Sequence, residues 1–523
     1  MATGADQVMG VFDGAEVLEG EPAADTTPSA AGETSRGIAG TDAATQPDET
    51  RPVARPMGYS VAQMNEHYAL VMLGSRAMVF HHNENAPLEE RYRFLTFEAV
   101  GHYYANRVTE VVASDGKVRV MTWANRWRSD PGRRSYDGVE FFPDPDNAPG
   151  TPGYLNLWSG FAVTPRPPGS KGRGNYTVFR DHLLNNVARG DPAIDRWVFA
   201  FFAQMLQKPR ERAGVALVMR GVMGCGKTKV GEVFGSLIPQ HYFLVDDPRY
   251  VTGQFNAHMA KCLLLQADEA VWAGDKAAEG RLKGLITSPI QQIEAKGIDP
   301  IRLDNYVRVV MTSNDEWVVP AGKDERRFCV LDVHPRCAKN HDYFGEMEKE
   351  LNAGGREALL ADLLSFDLGS VNLRQIPHTR ELANQKLRSL NSAEAWWYER
   401  LFAGVPCRKL DRWPRDFVAK ETLFDDYYLS ADRVGIRRKS SETEIGLMLD
   451  KFVPGLISKK RPVEHTDFRG DVTVRRKNCW LFPPLADCRA AFDEKLQQPL
   501  DWPPLDDDTD AVERPAIEGV EDL

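Results

Sequence analysis

The spacing of hydrophobic residues divides the chain into regions of different predicted structure. From residue 59 to about 135, short apolar runs such as YALVML and KVRVMTW alternate with polar ones, which is typical of a small mixed α/β region. Between Asp191 and Pro209, apolar residues recur at helical spacing, with Asp191 as the expected cap. Three short apolar runs follow, GVALVMR, KCLLLQAD and VRVVMTSN, and each ends in polar residues. This order predicts a parallel sheet that carries its chemistry at the carboxyl ends of the strands.

The last part of the chain, from about 390 to 500, has a different pattern. Two stretches with helical spacing, KETLFDDYYLSADRVG and SSETEIGLMLDKFVPGL, precede two strand-like runs, KKRPVEH and DVTVRRKNCWLF. Helices followed by a two-stranded wing predict a winged-helix-like α+β module. The prediction for the whole chain is an α/β protein. Its five segments are a disordered acidic start, a small mixed α/β region, a parallel-sheet domain with a helical extension, a winged-helix-like basic module and a disordered acidic tail, at 1–55, 56–180, 181–385, 390–500 and 501–523.

Charge is distributed unevenly along the 523 residues, whose formal net charge is −10. Residues 1–55 contain ten acids and three bases, and residues 501–523 contain nine acids and one base. Both ends have few large apolar residues and cannot offset the entropy of ordering, so we expect them to be disordered. The chain between them is mildly basic, which keeps nucleic acid admissible as a partner.

Cysteine spacing and hydropathy restrict the compartment and the class of protein. The seven cysteines are scattered and form no C-x-x-C pair, so neither a disulfide framework nor a zinc site is predicted. No apolar run is long enough to span a bilayer, and the first residues lack the features of a secretory signal. We therefore expect a cytoplasmic protein with no membrane partner.

A phosphate-binding pattern begins directly after the first of the three apolar runs. In GVMGCGKTK, the spacing Gly221-x-x-x-x-Gly226-Lys227-Thr228 matches a loop whose backbone N–H groups surround phosphates. We expect Lys227 to contact the β and γ oxygens and Thr228 to hold Mg²⁺. A strand before the loop and a helix after it are what this mechanism requires, so ATP and Mg²⁺ are the expected cofactors. The predicted nucleotide contacts are Gly221, Gly224, Cys225, Gly226, Lys227, Thr228 and Lys229.

Polar residues at the ends of the next two apolar runs complete the predicted site. Asp268 is expected to bind the magnesium shell and Glu269 to polarise the attacking water. Asn314 is placed to orient that water, although a strand-end Asn also commonly caps a turn. Arg326 and Arg327 are joint candidates for an arginine that enters a neighbouring subunit's site; the alternative is a surface ion pair.

The order of these motifs resembles that of the superfamily 3 helicases of viruses and mobile elements. The phosphate loop, LLLQADE, ITSPIQQIEAKG, the run ending in TSN and the ERRF segment carry the resemblance. Within that group the chain is most similar to the phage-type primase-helicase proteins, through YALVM, RRSYDGVEF, YLNLWSGFAV and ADEAVWAGDK. The resemblance implies an AAA+-like ATPase that assembles as a homo-hexameric ring around DNA and moves along one strand. It assigns Lys227 and Thr228 to the phosphate loop, Asp268 and Glu269 to the acidic motif and Asn314 to the sensor.

The candidate DNA contacts lie in two parts of the chain. The resemblance places a basic channel residue at Lys296, which could instead be a solvated surface lysine, and Lys283 is a second candidate. The carboxy-terminal module carries basic groups that could bind duplex phosphates, or could form a solvated face that balances the acidic tail, at Arg437, Arg438, Lys439, Arg475 and Arg476. The acidic ends are candidate contacts for replication proteins.

The sequence therefore predicts an ATP-dependent DNA helicase of phage or mobile-element replication. No priming activity is expected, because the one D-x-D ahead of the parallel-sheet domain, Asp144 with Asp146, lies in a Pro-rich loop. A rival hypothesis is an origin-binding initiator or loader that uses ATP without processive unwinding, and the basic carboxy-terminal module supports it. A small-molecule kinase is disfavoured by the paired acids, the arginines and the lack of an acceptor motif.

Overall fold

The computed structural model describes residues 58–112, 116–253, 256–270, 276–295, 298–319, 322, 325–466 and 472–504. The predicted disordered segment 1–55 lies outside these residues, and so does all of the predicted acidic tail after residue 504. Within the described part of the chain, no helix is both long enough and apolar enough to cross a membrane.

The amino-terminal unit, residues 58–156, is built on a four-stranded sheet of order β3-β2-β1-β6. Its helices begin at hydroxyl caps, since Ser60, Thr96 and Thr122 each accept a bond from a first-turn amide. The elements are α1 (Val61–His67), β1 (Tyr68–Leu73), β2 (Arg76–His82), β3 (Tyr92–Leu95), α2 (Phe97–Tyr103), β4 (Val108–Val112), β5 (Val118–Thr122), α3 (Trp123–Ser129), β6 (Ser135–Tyr136), β7 (Gly138–Glu140) and β8 (Tyr154–Asn156).

The central domain is a five-stranded parallel sheet with helices, as the apolar runs predict. Asp191 caps the predicted helix by accepting bonds from the amides of Ala193 and Ile194. The elements are α4 (Thr177–Asp181), α5 (Pro192–Gln207), β9 (Ala216–Arg220), α6 (Lys227–Gly235), β10 (Tyr242–Val245), α7 (Pro248–Thr252), β11 (Leu264–Asp268), α8 (Lys276–Thr287), β12 (Ile290–Ala295), β13 (Ile298–Asp304), β14 (Arg308–Ser313), β15 (Phe328–Asp332), α9 (His341–Glu350), α10 (Arg356–Leu364) and α11 (Arg380–Arg388). The strand order is β10-β11-β14-β9-β15, and β12 and β13 form a separate antiparallel pair.

The predicted boundary near residue 180 does not separate two hydrophobic cores. One face of the amino-terminal sheet, including Val71 and Phe80, belongs to the same buried cluster as Val218, Leu265 and Val309 of the central sheet. Alternation along β1 and β2 sends the other face toward α1, α2 and α3, where Val79 and Trp127 are buried. The amino-terminal unit is therefore packed against the central domain through continuous apolar contacts.

The carboxy-terminal module, residues 390–504, has its own core. It contains the two predicted helices and the two predicted strands, and adds a helix at each end and a short strand. The elements are α12 (Ser392–Ala403), β16 (Val418–Ala419), α13 (Lys420–Val434), α14 (Glu442–Phe452), β17 (Ile457–Thr466), β18 (Val472–Leu481) and α15 (Leu485–Leu496). The short β16 pairs with β18, giving an antiparallel sheet of order β16-β18-β17.

A fully buried arginine joins the central sheet to α5. Arg308, at the start of β14, is 1% exposed, and its guanidinium donates to Gln204 Oε1 at 2.8 Å. It also donates to the backbone carbonyls of Tyr306, Pro209, Lys208 and Glu211. Burial lowers the pKa of Arg308 to about 9. The end of α5 is thus tied to the sheet by neutral oxygen acceptors around one cation.

Replacing Arg308 with Met should lower the thermal unfolding midpoint, because several buried oxygens lose their donor. Each unsatisfied buried acceptor costs about 1–3 kcal/mol, so we expect a loss of at least about 2 kcal/mol. Arg302→Met, at an exposed position of β13, is the matched control and should leave the midpoint unchanged. Equal midpoints for the two variants would contradict this role of Arg308.

Candidate functional site

The strand order brings three polar loops to one edge of the central sheet. β14 lies between β9 and β11 and is parallel to both, so the carboxyl ends of all three strands point the same way. The loop from Gly221 follows β9, Asp268 ends β11 and Asn314 follows β14. Residues separated by many positions in the sequence thereby become neighbours at this edge.

Lys227 connects the first and last of these loops. It begins α6, is 5% exposed, and its ammonium donates to Asn314 Oδ1 at 2.8 Å. The same group donates to the carbonyls of Gly221 and Val222, at 2.8 and 3.1 Å. The loop therefore curves around the ammonium of Lys227. The same ammonium holds the Asn314 side chain beside the loop.

Asp268 receives two hydroxyl donors from different elements. Thr228 Oγ1, on the first turn of α6, donates to Asp268 Oδ2 at 3.2 Å. Thr312 Oγ1, on β14, donates to Asp268 Oδ1 at 2.5 Å. The predicted pair of Thr228 and Asp268 is thus in direct contact, and Thr312 is a supporting residue that the sequence pattern did not single out.

Glu269 is held in an uncommon backbone conformation. Its φ is +55°, in the left-handed region that non-glycine residues rarely adopt. Ser313 Oγ donates to Glu269 Oε2 at 2.9 Å, and the Asn314 amide donates to Glu269 Oε1 at 2.7 Å. The exposed carboxylate is therefore fixed beside Asn314, and strain of this kind tends to occur at functional sites.

A buried histidine that the sequence pattern did not predict contacts the loop at Gly226. His182 opens a π-helical turn, His182–Val187, and its Nε2 lies 3.2 Å from the carbonyl oxygen of Gly226. Its Nδ1 lies 2.8 Å from Asn186 Nδ2. A carbonyl only accepts and an amide nitrogen only donates, so Nε2 carries the proton and Nδ1 accepts. Burial lowers the pKa of His182 to about 4, which keeps the ring neutral at physiological pH.

Gly226 is required both by its backbone and by this contact. Its φ of +93° is left-handed, and a Cβ there would lie 2.6 Å from His182 Cε1. Hydrophobic spacing does not indicate His182, because a π-helical turn cannot be recognised from that spacing.

The remaining predicted loop residues have different positions. Cys225 is completely buried, and burial raises the pKa of its thiol. The carbonyl of Gly224 accepts a bond from the Lys339 amide at 3.2 Å. Lys229 pairs with Glu232 on α6 and Glu348 on α9, at 3.1 and 3.3 Å. The Lys229 ammonium is thus engaged by two carboxylates, unlike that of Lys227.

The two candidate arginines lie at the amino-terminal ends of the strands, opposite the ends that carry the loop. The Arg327 carbonyl accepts from the Ala216 amide, and Ala216 begins β9. The loop follows the other end of that strand, about 13 Å away at about 3.3 Å per residue. Arg327 pairs with buried Glu325 at 3.3 Å, whereas the Arg326 side chain is exposed. Neither arginine is placed to reach the loop of its own subunit.

The two lysines predicted to contact DNA in the channel, Lys296 and Lys283, differ in what the structure shows of them. Lys296 lies outside the described residues. Lys283 pairs with Glu279 on the same helix and lies 3.8 Å from Glu325 Oε2. Its ammonium is therefore surrounded by acids.

The carboxy-terminal basic residues occupy a loop and a strand. Those on the loop between α13 and α14 are Arg437, Arg438 and Lys439, and those on β18 are Arg475 and Arg476. The four arginines are exposed, while Lys439 pairs with Asp432 at 2.5 Å. The exposed positions of α14 include Glu442, Glu444 and Asp450. Positive charge thus flanks an acidic helix in this module.

A metal ion bound beside Asp268 would need further oxygen ligands from water or from a bound phosphate. Among the residues that the structure describes, no group of three or more His, Cys, Asp or Glu could hold an ion alone. The Thr228 hydroxyl and the Asp268 carboxylate are hard oxygen donors of the kind that Mg²⁺ prefers, usually with waters and phosphates.

Comparisons with known proteins relate the fold to solved structures of the NrS-1 C-terminal region. Residues 219–327 match the model of a family of unknown function (DUF5906). No curated protein matches the chain. The apo structure of the NrS-1 C-terminal region (305–718) is 14% identical with a TM-score of 0.55, over 80% of this chain and 97% of that one. The A form apo structure of that region gives the same identity and TM-score over 82% and 100%. The NrS-1 C-terminal region and this chain therefore share a fold.

His182→Ala should loosen the loop that follows β9. Losing a hydrogen bond worth about 1 kcal/mol should speed amide exchange in residues 221–228 by about 5-fold. Hydrogen exchange followed by mass spectrometry would measure this. His341→Ala, at an exposed histidine of α9, is the control and should leave exchange in the loop unchanged. Loop protection that is equal in both variants would contradict the supporting role of His182.

Proposed function

We propose that this protein is an ATP-dependent DNA helicase of the superfamily 3 type that serves phage or mobile-element replication. It would hydrolyse ATP with Mg²⁺ at the subunit interfaces of a homo-hexameric ring and translocate on DNA. The observation that carries the proposal is the network at one sheet edge, where Lys227 contacts Asn314 and Thr228 contacts Asp268. The strand order supports an AAA+-like assignment. In it β14, which precedes Asn314, lies between β9, which precedes the loop, and β11, which ends at Asp268.

In this proposal each residue has a defined chemical role. Lys227 and the loop amides would bind the phosphates, and Thr228 with Asp268 would hold Mg²⁺, which neutralises charge on the transferring phosphate. Glu269 would accept a proton from the attacking water. Ser313 and the Asn314 amide hold both oxygens of that carboxylate, so the base is oriented before the reaction begins. His182 would act as a positioning residue, through Gly226.

The arginine that completes the site would come from the neighbouring subunit. We favour Arg326, because Arg327 is neutralised by Glu325 and both residues lie at the far edge of their own sheet. An exposed arginine at that edge can complete a site only across a subunit contact, which is the geometry of a ring ATPase.

A second candidate is an initiator or loader that binds DNA without processive unwinding. The observation that favours it is the basic loop and strand of the carboxy-terminal module, which has the element order of a winged helix. Since the exposed positions of α14 carry three acids and one base, contact with duplex phosphates would use the flanking arginines rather than that helix. Release of a long annealed strand would separate a helicase from an initiator.

Lys227→Ala should abolish ATP turnover while leaving the thermal unfolding midpoint close to that of the wild type. The substitution removes the charge that neutralises the β and γ oxygens. Such contacts lower the activation free energy of ATP hydrolysis by about 3 kcal/mol or more. Lys229→Ala, two residues along and paired with glutamates, is the matched control and should retain most of the turnover. Persistent turnover by Lys227→Ala would exclude the assignment.

Subunit mixing should reveal the arginine that acts in trans. Arg326→Ala and Glu269→Gln should each be inactive alone, and mixtures should recover ATP turnover at interfaces that combine an intact Glu269 with a neighbour's Arg326. Arg327→Ala is the control, since its guanidinium serves Glu325. Activity of pure Arg326→Ala equal to wild type, or no recovery in any mixture, would rule out Arg326 as the trans-acting group.

A further inference from the structure

Guanidinium groups and aromatic rings alternate across one surface of the amino-terminal unit. We call it the arginine–aromatic surface, and it consists of Tyr59, Tyr103, Tyr104, Arg107, Trp123 and Arg126. The Arg107 guanidinium lies 5.5 Å from the ring centres of both Tyr104 and Trp123. The Trp123 and Tyr104 rings are stacked, with centroids 6.2 Å apart. These contacts form a continuous series of flat groups, each within contact range of the next.

The series continues to both sides of this centre. The Arg126 guanidinium lies 5.7 Å from the Tyr59 ring, whose edge meets Trp123 at 6.3 Å. On the other side, the Tyr103 ring meets Tyr104 at 5.0 Å. Tyr103 is 69% exposed, so it contributes little to the core beneath it. A large ring that is left in water at the end of an aromatic series is available for a stacking partner.

The charge around this surface favours an anionic partner. Residues 103–134 contain seven bases and three acids, and six of the seven bases are arginines. One of the acids, Asp130, already accepts from the Tyr59 hydroxyl at 3.0 Å and lies 4.0 Å from Arg126. Arg128 and Arg133 add two further stacked pairs nearby, over Phe97 and Trp127. Arginine binds phosphate through a planar fork and stacks on rings, which lysine does not.

We propose that the arginine–aromatic surface binds single-stranded DNA. Bases would stack on exposed Tyr103 and on the half-buried rings of Trp123 and Tyr59. Tyr104 is buried and supports these rings from the core. The guanidinium groups of Arg107 and Arg126 would contact phosphates. A surface that combines flat rings with positive charge matches the two chemical features that recur along a single strand. The inference rests on the proposed function for the identity of the strand as DNA, and it gives the amino-terminal unit a role beyond packing against the central domain.

The test is binding of a fluorescein-labelled oligothymidylate of about 20 nucleotides to the full chain without ATP. Tyr103→Ala should weaken binding by about 5-fold to about 100-fold, the effect of losing one stacked base. Tyr103→Phe keeps the ring and should bind like the wild type. Arg107→Ala should weaken binding and make the affinity less sensitive to salt concentration, because one phosphate contact is lost. Arg76 is an exposed arginine of β2 outside this surface, so Arg76→Ala should change neither the affinity nor its salt dependence.

The outcomes separate this inference from the proposed function. Tyr103→Ala that binds the oligonucleotide as tightly as the wild type overturns the inference. A change in oligomer mass in Tyr103→Ala would assign the surface to a contact between copies and would overturn it as well. ATP turnover without DNA should be unchanged in these variants, because none of the substituted residues belongs to the network at the sheet edge. Wild-type protein without ATP turnover would instead defeat the proposed function.

Discussion

The contact between Lys227 and Asn314 depends on one feature of the central sheet, which is that β14 is inserted between β9 and β11. Because all three strands are parallel, their carboxyl ends meet at the same edge, and side chains from three separate loops come within hydrogen-bond distance. Reversing or displacing β14 would move Thr312, Ser313 and Asn314 together, and Asp268 and Glu269 would each lose a partner. Strand order therefore determines the local chemistry.

The same order explains why the proposed site would need an arginine from a neighbouring copy. β15 pairs with β9 on the side away from β14, and it begins beside the start of β9. Arg326 and Arg327 precede β15 and are thus placed at the opposite edge from the loop. In the proposed function, the strand ends that carry Lys227 and Asp268 and the opposite ends that carry the exposed Arg326 would meet between adjacent copies of a ring.

Much of this arrangement could be predicted from the sequence, and the remainder could not for identifiable reasons. The apolar runs and the Gly-x-x-x-x-Gly-Lys-Thr spacing predicted β9, β11, β14 and α6, because strand period and loop chemistry are local properties. His182 was not predicted, since its π turn and its contact with Gly226 arise from packing. The loop spacing assigned Lys227 to the phosphates, but the sequence could not distinguish Arg326 from Arg327, because the contact between Glu325 and Arg327 depends on the fold. The core that the amino-terminal unit shares with the central domain could not be predicted from the sequence either, because a domain boundary inferred from composition carries no information about packing.

The most direct test of the account is electron microscopy of the protein with forked DNA, Mg²⁺ and a non-hydrolysable ATP analogue. We expect a closed ring with a DNA strand in its channel. The terminal phosphate of the analogue should lie beside Lys227 of one subunit and Arg326 of the next. An analogue bound away from Lys227, or a Lys227 site that no neighbouring arginine approaches, would contradict it.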